Sequence, residues 1–380
     1  MATEGIRLLD FVVGIHDPRV TGRTDHDLED ILVLALCAVM AGAEGWDDIE
    51  DWGIENEALL RRYLRLRNGI PGHDTIRRVF EVLDPQEVET RFADWVSHIC
   101  PALEGRVIAI DGKCVRGSGS VARGVKPLHL VSAYATEVGV VLRQQRCEEK
   151  SNEITAIKAL LPHLALKGAI VTIDAMGCQT AIAQMILTQG GDYLLSVKDN
   201  QPKLHEVIQE YFAIAEAEGF RHLQPQVSET LDKGHGRLER RRCTVVPAPA
   251  YLAELERWKD VRALVKIEAR RETGAKVETE TRYAITSLAP NAHEILRAAR
   301  LHWGIENGLH RCLDVAFRED ASAIWLRHAA ANFALLRRFA LNQFRLDKSS
   351  KKSLPKKRKA AAWNSGYVVE LLNLRPLQEF

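Results

Sequence analysis

A chain of 380 residues, 46% hydrophobic and 27% charged, has the make-up of an ordinary soluble protein and can bury a large core across more than one structural unit. No apolar run approaches the roughly eighteen residues of a membrane span, and Met1-Ala-Thr-Glu4 lacks the basic-then-apolar start of a secretory signal, so a cytoplasmic protein without a membrane partner is expected. The net charge of +1 conceals a local excess: residues 348–359 hold seven Lys or Arg and no Asp or Glu, which leaves −6 for the rest, so a mobile segment is expected there, either attracting a phosphate backbone or serving as a solvated linker.

The seven Cys are scattered, odd in number and without C-x-x-C spacing, which favours reduced thiols over disulfides or a cysteine zinc site. Residues 1–100 read as a helical domain. Asp25 and Asp27 precede the apolar stretch Leu28–Met40, and Gly42 and Gly45 end it. Helices follow at Trp46–Asn56 and Glu57–Leu66, the second bearing Arg61, Arg62 and Arg65. After the turn at Ile70-Pro-Gly72 a helix capped by Asp74 or Thr75 runs to Leu83, and Asp84-Pro85 starts another through Phe92 and Trp95.

From Arg106 the apolar period changes from helical to strand-like. Strands are predicted at 106–111, 128–135 and 139–146, then a helix from Ser151 or Asn152 to Leu161, a strand at 169–174, a helix from Gln179 to Thr188 and a strand at 192–197. This is a mixed α/β sheet with flanking helices over 101–345. A β-rich insertion at about 202–290 opens with helix 202–217 and continues with strands around 225–246, turning at Lys233-Gly-His-Gly236, then 261–270 and 276–287. Helix 292–315 and helix 323–344 close the unit, and 346–380 reads as the basic linker with a short terminal helix.

Two of the predicted strands end in Asp, at Asp111 and Asp174, and helix 292–315 presents His302, Glu306, His310 and Asp314 as one polar stripe four residues apart. Mg²⁺ or Mn²⁺ takes hard oxygen ligands and keeps several waters, so Asp111, Asp174 and Glu306 are enough to hold two ions roughly 3.5–4 Å apart and to support in-line phosphoryl displacement. The condition is that the first and fourth strands are neighbours. Lys113, Arg116 and Lys198 would stand at the rim where phosphates enter. His302 and His310 can join the site or stack on a base; histidines two turns apart hold a single zinc ion poorly. His235 and Arg237, with Arg240, Arg241 and Arg242, form a basic knot for which DNA contact and a solvated hairpin are both open readings. Lys150-Ser-Asn-Glu153 is most simply a helix start.

Several of these motifs in one order, Val107-Ile-Ala-Ile-Asp-Gly-Lys113, Glu149-Lys-Ser-Asn-Glu153, Asp174-Ala-Met-Gly-Cys-Gln179, Val197-Lys-Asp-Asn-Gln201, Lys233-Gly-His-Gly-Arg237 and His302-Trp-Gly-Ile-Glu-Asn307 through Asp320, make the chain similar over nearly its whole length to bacterial insertion-sequence transposases that include the H-repeat-associated proteins. The resemblance implies a ribonuclease-H-like core with an inserted β region behind a helical N-terminal domain. It further implies two-metal chemistry with Asp111, Asp174 and Glu306 as the catalytic triad. Cleavage at the ends of an element and transfer of the 3′-hydroxyl into target DNA would follow, carried out by a homodimer on double-stranded DNA in the bacterial nucleoid. A nuclease without strand transfer and a non-catalytic DNA-binding descendant are the rival readings. The expected DNA contacts are Lys113, Arg116, Lys198, Asn200, His235, Arg237, His302, Asn307 and Arg311. His302 and Leu313 stand where related transposases carry Arg and Lys, so Arg300 and Arg311 are the substitutes.

Overall fold

A computed structural model of the protein describes residues 12–20, 22, 24–148, 151–234, 236–274 and 276–377. The sheet is organised about β1 (Val107–Val115), whose Val-Ile-Ala-Ile110 run is buried on both faces as in a central strand. Its neighbours are β2 (Leu128–Ala135), antiparallel, and β4 (Ile170–Ile173), parallel, with β3 (Val140–Arg146) outside β2 and β5 (Asp192–Val197) outside β4. The β-rich region is β6 (Gln226–Gly234), β7 (Arg237–Pro247), β8 (Ala263–Thr273) and β9 (Lys276–Thr286). It continues the same sheet, because β9 pairs with β5 from Leu194↔Thr286 to Val197↔Tyr283, giving nine strands in the order β3-β2-β1-β4-β5-β9-β8-β7-β6.

The N-terminal helices are α1 (Leu28–Ala41), α2 (Trp46–Glu55), α3 (His73–Val82) and α4 (Pro85–Ile99). Every residue of α1 except Glu29 is buried, as its apolar composition requires, and Gly42 stops it with φ at 129°. Asp84 caps α4, its carboxylate accepting from the Gln86 amide at 3.0 Å, with Pro85 in the first turn where a missing N–H does no harm. His73 rather than Asp74 or Thr75 begins α3, after Gly72.

Around the sheet lie α5 (Glu153–Leu160), capped by Asn152, α6 (Thr180–Thr188), α7 (Pro202–Ala217), α8 (Ala292–His302), α9 (Arg311–Phe317) and α10 (Ala329–Leu346). The N-terminal helices share a core with the sheet and α10: Trp95 stacks on Phe339 with centroids 4.2 Å apart, and Trp46 meets Phe333 edge-on at 5.2 Å. Among the described residues no helix is long and apolar enough to cross a membrane.

The basic segment expected to be a mobile linker is helical in its second half. From Leu354 it enters α11 (Leu354–Trp363), which is followed by α12 (Ser365–Leu371). Buried Lys357 donates to the Phe344 and Asp347 carbonyls at the end of α10, at 2.8 and 2.7 Å. Arg358 reaches the Val39 and Ala43 carbonyls at the end of α1 and stacks 4.8 Å over Phe317. Helix ends leave carbonyls without partners and carry partial negative charge, so cations on long apolar stems dock there. A run of like charges in the sequence does not reveal such partners.

Candidate active site

The condition set by the sequence is met: β1 and β4 are adjacent and parallel, in register from Val107↔Ile170 to Ile110↔Ile173. The next residues are Asp111 and Asp174, so both carboxylates leave neighbouring strands at one level. Asp174 is held by its own backbone turn, its Oδ1 accepting from the Met176 and Gly177 amides at 3.1 and 3.4 Å. Asp111 accepts from the Gly112 amide at 2.9 Å.

The third carboxylate arrives on a distorted helix. The sequence predicts an unbroken helix over 292–315, but Glu306–His310 is a π turn between α8 and α9. Its i→i+5 closure is wider than an α turn and brings positions four apart nearly one above the other. Glu306 and His310 therefore point together at Asp111. Two glycines let this stretch press against β2: a β-carbon at Gly308 would lie 2.7 Å from Tyr134 Oη, and one at Gly304 only 2.0 Å from Thr136 Cγ2.

His310 Nδ1 lies 3.6 Å from Asp111 Oδ2 and 3.7 Å from Glu306 Oε2, and one donor atom from each of the three falls within 4.8 Å of the others. The ring is 6% exposed, and Nε2 has no hydrogen-bond partner among the described residues. Burial pushes the imidazole down to about 4, helped by Arg338 and Lys113, so it is neutral at physiological pH and can donate a lone pair. Burial likewise pushes the Asp111 carboxyl up to about 7; the Gly112 amide opposes this, and the charges of Glu306, Asp174 and Glu153 add to it. Converging carboxylates that repel one another and a buried neutral imidazole are a donor set suited to a divalent cation.

These groups sit at one end of a cleft of about 1340 Å³ between α8 with its π turn and the β7–β9 face. Strand alternation divides the expected basic knot. Arg237 and Arg241 face the cleft with Arg271 and Arg282, whereas Arg240 and Arg242 pair with Glu229 on the other side. Most cleft arginines are held in ion pairs: Arg241 with Asp232 and Glu239 at 2.7 Å each, Arg282 with Glu280 at 2.7 Å, Arg300 with Asp232 at 2.8 Å. The part-exposed pairs Arg282–Glu280 and Arg300–Asp232 contribute about 0–1 kcal/mol each, so a phosphate can replace the carboxylate there at small cost, whereas Glu239 is 5% exposed and holds Arg241 more firmly. Arg282 also lies 4.6 Å over Trp303, a 46% exposed ring in the cleft that sequence reasoning passes over.

Of the other predicted contacts, Lys198 is exposed in the cleft lining, and so is Arg311. Arg116 is 83% exposed, with Asp320 at 3.6 Å. Asn200 bonds the Ala175 carbonyl and ties the loop after β5 to the Asp174 turn. His302 Nδ1 meets Thr172 Oγ1 at 3.1 Å, and burial holds its pKa below the ordinary value. Asn307 donates to the Trp303 carbonyl at 3.3 Å. His235 lies outside the described residues.

Lys113 departs from expectation. It is 8% exposed, and its Nζ lies 2.8 Å from Asp314, 2.7 Å from Asp320 and 3.7 Å from Glu319, so it faces a buried charge cluster beneath the site and not the rim. Glu319 and Arg338, both 0% exposed, pair at 2.7 Å in the same cluster. Burial opposes the Glu319 charge, but Arg338, Arg337 and Lys113 outweigh it and hold the carboxyl below its usual value. Arg318 takes a left-handed backbone, φ 50°, and this turn swings Glu319 and Asp320 back onto Lys113.

Comparison with known proteins shows the family. Residues 102–343 match the family described as "Transposase DDE domain", and residues 9–96 match the one described as "DDE_Tnp_1-associated". "Putative transposase YncI" of Escherichia coli O157:H7 is 40% identical over 369 residues, 96% of this chain and 94% of the relative. "H repeat-associated putative transposase YhhI" of Escherichia coli K12 is 39% identical over 371 residues, 96% and 97% of the two chains. An uncharacterized protein in the dhlA 3′ region of Xanthobacter autotrophicus is 42% identical over 277 residues, 72% of this chain and 92% of that one.

Proposed function

The chain belongs to the DDE transposase family, with the ribonuclease-H-like fold of that domain, and on this premise we propose that it cuts DNA at the ends of an insertion sequence and joins the freed 3′-hydroxyl to target DNA. The observation that supports the reading is the register of β1 with β4, which ends both strands in an Asp at one level, together with the π turn that carries Glu306 to Asp111. Asp111 and Glu306, whose donor atoms lie together with that of His310, would hold Mg²⁺ or Mn²⁺, and Asp174 from the neighbouring strand would complete a two-ion site. Divalent cations there supply activation of the attacking oxygen and charge neutralisation at the leaving oxygen.

This chain's own residues do the rest. The π turn fixes Glu306 against the sheet, and the Met176 and Gly177 amides orient Asp174. Arg237, Arg241, Arg271 and Arg282 along the cleft wall exchange carboxylate partners for backbone phosphates, Lys198 and Arg311 meet the strand near the carboxylates, and the exposed Trp303 face offers a stacking surface. Joining two ends requires two sites, so a dimer assembled on DNA is part of the proposal.

The test is a cleavage and joining assay on labelled duplexes carrying the element ends, with Mg²⁺ or Mn²⁺, comparing wild type with Asp111→Ala, Asp174→Ala and Glu306→Ala. Cut ends joined to a second duplex by the wild type alone are the expected result. Cutting without joining would reduce the assignment to a nuclease. Full activity in any of the three variants would remove that residue from the site.

A further inference from the structure

The motif Lys150-Ser-Asn-Glu153 reads from the sequence as a helix start, and Asn152 does cap α5, its Oδ1 accepting from the Thr155 amide at 3.1 Å. That leaves Glu153, the first helical residue, without a capping role. Yet its side chain is only 17% exposed, and its Oε1 lies 2.6 Å from Nε2 of His129 on β2. Both groups rest on Gly112: a β-carbon there would meet Glu153 Oε1 at 2.3 Å and His129 Nε2 at 2.8 Å. The amide of the same Gly112 donates to Asp111 Oδ1. One residue without a side chain therefore stands between two carboxylates, Asp111 on the α8 face of the sheet and Glu153 on the α5 face. The faces meet here because the ladder between β1 and β4 ends at Ile110↔Ile173.

A glutamate in the first turn of a helix ordinarily faces solvent and the positive end of the helix. Here it is drawn across a strand and fixed by a histidine against Gly112, near enough for its charge to add to that of Glu306 and Asp174 on Asp111. Bringing a fourth negative group to that place is unfavourable unless a cation compensates for it. We propose that Glu153 is a fourth acidic group of the ion-binding centre, positioned by His129, and that this pair sets how tightly a divalent cation is held on the Asp111 side. Gly112 is then needed for the room it leaves. The inference rests on the metal-dependent reading above and adds residues which that reading does not use.

The test reads cation binding without DNA. Mn²⁺ is titrated into the full chain and free Mn²⁺ followed by electron paramagnetic resonance, for wild type, Glu153→Gln, Glu153→Asp, His129→Gln, the double variant combining Glu153→Gln with His129→Gln, and Asp111→Asn, with melting curves in EDTA to check folding. Glu153→Gln is expected to weaken Mn²⁺ binding by about 10–100-fold and His129→Gln by less. The double variant should be no worse than Glu153→Gln, because the two act as a unit. Glu153→Asp, which keeps the charge, should retain more affinity than Glu153→Gln. Wild-type affinity in Glu153→Gln, with Asp111→Asn clearly weakened in the same titration, overturns the proposal and leaves the metal site standing. Absence of Mn²⁺ binding by the wild type overturns both. Should Glu153→Gln fail to fold, unchanged affinity in His129→Gln counts against the pair.

Discussion

Along β1, β4 and β5 the strands are buried on both faces at the level of the core, whereas the distal parts of β6 to β9 alternate charged rows that face water on either side. Both regions belong to one sheet and obey one alternation rule, but burial makes the rule do different things. In the centre a one-residue slip would drive apolar side chains into water, so register is rigidly specified and two carboxylates can be placed side by side. In the extension exposed pairs such as Arg240–Glu229, Arg282–Glu280 and Lys276–Glu278 are exchangeable, which positions cations while leaving them free to change partner. One region fixes where reaction occurs, and the other presents a surface along which a polyanion can lie.

That contrast can be broken by experiment. The largest effect is expected at the centre: Asp174→Ala should reduce single-turnover DNA cleavage by at least about 10³-fold, whereas Arg271→Gln should leave it within several-fold at saturating DNA. Equal losses in the two variants would mean that the extension is as exacting as the core. Next comes the buried cluster below the site. Arg338→Met leaves Glu319 charged and without its closest partner in a fully buried place, so chemical denaturation should show a loss of about 3–5 kcal/mol, recovered in part by adding Glu319→Leu.

The third prediction concerns pH. The Asp111 carboxyl titrates at about 7 in the folded metal-free protein against an ordinary value of 3.8, so the folded state binds this proton more tightly than the unfolded one. Its contribution to stability is full below pH 3.8 and is lost as the pH rises to about 7, a ceiling of about 4 kcal/mol. Asp111→Asn should therefore raise the melting temperature of the cation-free protein at about pH 8, with the gain shrinking toward about pH 4; an equal gain at both values would deny that the site stores charge repulsion. The smallest effect belongs to the extension: Arg271→Gln should weaken binding to all duplexes alike and reduce the slope of log K against log salt by about one.

How far the sequence can be read depends on the range of the forces involved. Caps at Asp84 and Asn152 and the alternation of β6 to β9 are local signals and lead to elements within a few residues of those observed. Asp111, Asp174 and Glu306 stand out because each ends or faces an apolar run. Lys113 is misplaced by the sequence because its partners are some two hundred residues away, Asp314 on α9 and Glu319 and Asp320 beyond a left-handed turn at Arg318. The π turn is hidden for a different reason: an i, i+4, i+8 stripe fits an α-helix equally well, and only the Gly304-x-x-x-Gly308 spacing hints that the helix must come close to a strand. Glu153 is obscured by its neighbour, since Asn152 accounts for the motif as a cap and leaves nothing asking for a second role.

The docking of Arg358 on the carbonyls of Val39 and Ala43 spans more than three hundred residues of chain. Helix α1 leaves the ribosome some three hundred residues before α11 and α12, which pack on it. An apolar helix buried on almost every side must therefore wait for that length of chain to be made before it is covered. Premature release of the nascent chain, through a frameshift or an early stop, would leave that helix without its roof and expose its surface to chaperones and proteases. In this architecture the burial of an early helix is completed only by a segment made much later, so the two ends of the described chain fold together or not at all.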